Sequence, residues 1–96
     1  MPDYRVTMTM GAVRAGVAPH TILPTAAAAA GEFTMVEASD IAVVSGAARI
    51  TIRFEADGEE IASQIAAHVV GVTHGSVEVV DFRVTERVGG RWRTVR

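Results

Sequence analysis

The sequence predicts an α+β fold, an antiparallel sheet packed against helices, and three observations predict it. Apolar and polar residues alternate from Tyr4 to Ala12 and again from Arg49 to Ala56, the period of a strand with one buried face. After Asp57 the period lengthens to that of an amphipathic helix. A further apolar stretch, Val77 to Val88, runs into Gly89-Gly90, a pair suited to a two-residue hairpin turn. With 96 residues, 49% hydrophobic and 21% charged, the chain is too apolar to stay disordered and the right length for one domain, residues 1-96.

Each element has its own reason. In the first strand Tyr4, Val6, Met8, Met10 and Ala12 point one way, with Arg5, Thr7 and Thr9 between them. Between Arg14 and Gly31 the two prolines, Pro19 and Pro24, exclude one undisturbed helix. Thr25 followed by Ala26 to Ala30 and Gly31 then predicts a short helix near Pro24 to Ala30, thin enough to lie close to a sheet. Phe33 to Val44 reads as a bent extended segment, with a turn or a bulge at Glu37 to Asp40 and a return at Ser45-Gly46-Ala47 into the Arg49 strand. There Ile50, Ile52, Phe54 and Ala56 face inward, and Arg49, Thr51, Arg53 and Glu55 outward.

Asp57-Gly58-Glu59-Glu60 opens the long helix, with Asp57 as cap and Glu60 completing a capping box. Ile61, Ile65, Val69 and Val72 form its stripe, and His74-Gly75 ends it. In the strand after it, the Val79-Val80 doublet breaks the alternation and predicts a bulge. Across Gly89-Gly90 the pairing sets Val84 against Val95, Glu86 against Arg93 and Arg87 against Trp92. The resulting order, strand, short helix, two strands, long helix and strand, resembles the split β-α-β arrangement of a ferredoxin-like two-layer sandwich with an added C-terminal strand. That resemblance is to a fold hosting many unrelated activities, so it implies no function.

Composition excludes several chemistries. Without cysteine there is no disulfide framework, thiolate metal site or cysteine nucleophile. Nine basic residues against eleven acidic give a net charge of -2, which is not a general polyanion binder. All nine are arginine, as a GC-rich bacterial genome would encode. No leader pattern or spanning segment is visible, so the expectation is a cytoplasmic protein with no membrane partner. Glycine motifs for phosphate or dinucleotide are missing and the serines lack a nucleophile elbow. The spacing of His20, His68 and His74 matches no metal motif, so neither metal nor cofactor is expected.

Three surfaces remain. Arg87, Arg91, Trp92 and Arg93 sit in a C-terminal basic run that also holds Arg83 and Arg96. They form a candidate patch for a partner protein or an anionic small molecule, with Trp92 beside Arg87, or else a charged edge that blocks further strand pairing. Thr7, Thr9, Thr51 and Arg53, with Arg5 and Arg49, define an uncovered sheet face, which either meets a second copy in a dimer or stays solvated. It lacks the exposed aromatics of a sheet that reads RNA, so no nucleic acid is expected. His68 lies on the helix stripe facing the sheet. It reads first as a packed histidine and, in the alternative, as the acid/base of a cofactor-independent enzyme with Tyr4, Met8 and Phe54 lining its pocket. His74 reads as a cation at the negative end of its helix.

Overall fold

The computed structural model describes residues 1–95. Strand β1 (Asp3–Val13) leads through a 3-10 turn (Pro19–Thr21) to helix α1 (Ile22–Gly31) and then β2 (Val36–Val44). Strand β3 (Ala47–Glu55), helix α2 (Glu59–His74), β4 (Val77–Val88) and β5 (Arg91–Thr94) complete the chain. The fold is α+β, with two helices and one five-stranded antiparallel sheet in the order β2-β3-β1-β4-β5. Among the described residues no helix is long and apolar enough to cross a membrane.

Alternation decides which side chains enter the core. Tyr4, Val6 and Met8 of β1 and Ile50, Ile52 and Phe54 of β3 are fully buried, and they join both helices in one cluster. The intervening residues, Arg5, Thr7, Thr9, Arg49, Thr51 and Arg53, are half-buried on the opposite face. Edge strand β2 contributes little to the core: Ile41 and Val43 pair with Ile50 and Ala48 yet stay 49% and 76% exposed.

Both glycine-bearing hairpins form as the sequence predicts. Ser45 and Gly46 hold φ of 53° and 79°, and Gly89 and Gly90 hold 57° and 82°, the left-handed pair that a two-residue turn between twisted strands requires. The second turn sets Glu86 against Arg93 and Arg87 against Trp92, while the Val95 N–H donates to the Val84 carbonyl at 2.7 Å. The Val79-Val80 doublet is a bulge: Thr9 pairs with Asp81 but Met10 with Val79, leaving Val80 over.

Three local expectations need correction. Helix α1 starts at Ile22, not Pro24. The two prolines do not conflict, because Pro19 opens the 3-10 turn and Pro24 falls in the first turn of α1, where its missing N–H needs no partner. Second, Gly58 rather than Asp57 caps α2, with no side-chain cap hydrogen bond. Of the turn or bulge expected at Glu37–Asp40, the bulge forms: β2 is one continuous strand whose register shifts between Val36 and Ala38.

The last correction concerns the buried stripe of α2, which consists of Ala62, Ile65, Ala66, Val69 and Thr73. Ile61 is 44% exposed. Alanines carry little weight in a pattern judged by side-chain size, yet a helix lying close to its neighbours buries them first. The true stripe is therefore rotated from the expected one, and His68 lies at the flank of α2 instead of facing the sheet.

Candidate functional site

The open face of the sheet gathers most of the polar chemistry. At its Asp3 end, β1 and β3 pair Arg5 directly opposite Arg53. Like charges so placed repel, and two different devices relieve them. Arg53 donates to Asp3 at 2.7 Å and lies 3.5 Å from Glu37. Arg5 lays its guanidinium 3.9 Å from the centroid of the Trp92 ring, with Arg53 at 5.4 Å from the same ring. Among the described residues no carboxylate stands within ion-pair distance of Arg5. Burial, with the positive charges of Arg53 and Arg87, lowers its pKa from the usual guanidinium value.

The acids beside Arg53 shift in opposite directions. A hydrogen bond to Asp3, burial and the Asp3 charge push Glu37 up to about 7, while the same hydrogen bond and the Arg53 guanidinium hold Asp3 below its ordinary value. Asp3, Glu37 and Glu55 bring carboxylate oxygens within 4.8 Å of one another. The cation serving this cluster is Arg53 itself.

The C-terminal basic residues do not form one patch. Successive residues of a strand point to opposite faces, so Arg87 and Trp92 share the open face while Arg91 and Arg93 point to the other. Arg93 pairs with Glu86 at 2.5 Å and lies 3.7 Å from Glu59 at the start of α2. Arg91 is exposed at the hairpin end. Although Trp92 stands opposite Arg87 in the ladder, its ring reaches past β4 to Arg5. Arg96 lies outside the described residues. The proposed interface set does come together: Thr7 pairs with Thr51, and Thr9 and Arg53 flank them on the same face.

His68 occupies a different surface. Its Nε2 lies 3.0 Å from a Glu32 carboxylate oxygen, and Phe33 meets the ring edge-on at 4.9 Å. An open hollow of about 380 Å³ beside it is lined by Phe33, Ile61, Gln64 and Ile65. The pocket lining expected from Tyr4, Met8 and Phe54 is absent, because all three are fully buried in the core and Tyr4 stacks on Phe54 at 6.2 Å.

At the end of α2 the basic residue of the last turn, His74, is joined by a second, Arg14. The His74 Nδ1 accepts the Val79 N–H at 3.2 Å, and its Nε2 lies 3.0 Å from Arg14 Nη2. Arg14 brings a positive charge to this negative helix end, donating from Nε and Nη2 to the His74 carbonyl at 3.2 and 3.1 Å.

Sequence reasoning missed Arg5 as the partner of Trp92, and with it the acids Asp3 and Glu37. The only available signal was that Arg5 and Arg53 hold equivalent polar positions on two alternating strands. Comparison with protein-family models, with curated proteins and with solved structures gives no match for this chain.

Proposed function

We propose that this chain is a small self-associating, non-catalytic module that binds a carboxylate or phosphate group on the open face of its sheet. The observation carrying this reading is Arg5. It is a half-buried cation set against a second arginine, stacked on an indole and left without a carboxylate, and a planar guanidinium so held is suited to an oxyanion. Arg87, on the same face, adds a second positive charge near it. Arg91 and Arg93 lie outside this version of the patch.

Sheet order supports the ferredoxin-like reading of the fold, since β4-β1-β3-β2 is the order that two interleaved β-α-β units require, with β5 appended beyond β4. In such an arrangement helices cover one face and leave the other for contacts.

Trp92 is the only tryptophan, so its emission reports on Arg5 directly. Titration with inorganic phosphate and with citrate at fixed ionic strength is expected to give a saturable change, with affinity falling about tenfold in Arg87→Gln. Calorimetry on Arg5→Gln should show binding lost with the fold intact. A response equal in the wild type and both variants excludes the site.

A second reading, an enzyme with His68 as acid/base, draws on the His68–Glu32 pair beside an apolar hollow. A carboxylate that orients an imidazole is a common feature of general bases. Turnover of small activated esters that vanishes in His68→Ala at unchanged stability supports it. Turnover unaffected by that substitution, or none at all, counts against it.

A further inference from the structure

The registers of three strand pairs place four residues in one straight row across the open face. Asp40 of β2 pairs with Thr51 of β3, Thr51 with Thr7 of β1, and Thr7 with Arg83 of β4. Directly paired residues of an antiparallel sheet share a face. The row therefore reads acid, threonine, threonine, base, with its midpoint between the two central strands. Its charged ends are about 14 Å apart, three strand spacings, too far to pair within one chain. Both ends are exposed, and among the described residues neither Asp40 nor Arg83 makes an ion pair.

We infer that a second copy of this chain docks on this face about a two-fold axis running along the strands between β1 and β3, so that Asp40 of each copy meets Arg83 of the other. This deepens the self-association proposed above and rests on it. A face-to-face pair of identical sheets must be self-complementary, and the row decides which two-fold satisfies that. An axis along the row would set Asp40 on Asp40 and Arg83 on Arg83. The axis along the strands exchanges β2 with β4 and β3 with β1, setting each acid on a base and Thr51 on Thr7.

The flanking rows agree with this choice. In the next row, Ala42, Arg49, Thr9 and Asp81, Arg49 of one copy falls beside Asp81 of the other. On the opposite side Arg53 would face Arg5, but Arg53 brings its own carboxylates, Asp3 and Glu37. Packed sheets also cross at about 30°, so register is strictest near the central row.

The test is a charge swap read by sedimentation equilibrium across the micromolar range, with circular dichroism to confirm folding. The wild type is expected at twice the 10.1 kDa chain mass. Asp40→Arg and Arg83→Asp alone should each weaken association about 100-fold, since each sets two like-charge contacts in the interface. The double variant should recover it. A wild-type monomer throughout overturns the self-association reading and this geometry together. A wild-type dimer indifferent to either single variant, or a double variant no better than the singles, overturns the geometry alone.

Discussion

The Tyr4 hydroxyl, on a side chain with no exposed surface, donates to a Glu86 carboxylate oxygen at 3.1 Å. The same carboxylate receives Arg93 from β5, so this bond ties the first strand to the last hairpin on the helix side of the sheet. Burial and Glu86 together push the phenol up to about 12. Because the folded state keeps a proton that the unfolded chain loses near pH 10, stability is full below that pH and falls as pH rises toward 12. Tyr4 is the only tyrosine, so phenolate absorbance reads its titration alone. Tyr4→Phe should cost about 1 kcal/mol at neutral pH and remove the alkaline slope, as denaturant unfolding at several pH values will measure.

Glu37 gives a second pH signature. Its pKa, raised from 4.5 to about 7, means that the folded state binds the extra proton. Stability from this group is complete below pH 4.5 and is lost as pH climbs through 7. Asp3 acts in the opposite sense, its lowered pKa contributing stability that disappears only in acid. Glu37→Gln should therefore flatten the stability profile between pH 4.5 and 7 while leaving the acid limb. Carbon chemical shifts of the carboxyl should put the Glu37 midpoint near 7.

Thr73 is buried in the α2 stripe, and its hydroxyl has no hydrogen-bond partner. A buried hydroxyl without a partner costs stability, and valine has nearly its shape. Thr73→Val should raise the unfolding free energy by about 1 kcal/mol. Thermal and urea denaturation will show a later midpoint with an unchanged urea slope.

His74→Ala removes the acceptor for the Val79 N–H and should destabilise the chain by about 1 kcal/mol. The effect should be local, with faster amide exchange at Val79 and little change at Val84 in the same strand.

Which of these features the sequence revealed follows from how far apart in the chain their causes lie. The β4–β5 register was legible to the residue because Gly89-Gly90 sets it within a few positions. Strands β1 and β3 were legible because Tyr4-Val6-Met8 and Ile50-Ile52-Phe54 repeat an unambiguous period. The α2 stripe was misjudged because Ala62 and Ala66 are buried by close approach, a property of the partner surface and not of the helix. Trp92 over Arg5 was invisible, since it needs β1, β4 and β5 to be neighbours. The His68–Glu32 pair likewise depends on where α1 ends relative to α2.

The alanines have a mechanical consequence. Helix α1 buries Ala26, Ala29 and Ala30, α2 buries Ala62 and Ala66, and the two helices pack on each other. Methyl groups have no rotamers to exchange, so this seam cannot accommodate a push by reshuffling side chains. The helices should act as one stiff plate behind the strands. Whatever meets the Arg5–Trp92 side then finds a rigid anvil, and deuterium uptake in α1 and α2 should hardly change on engagement.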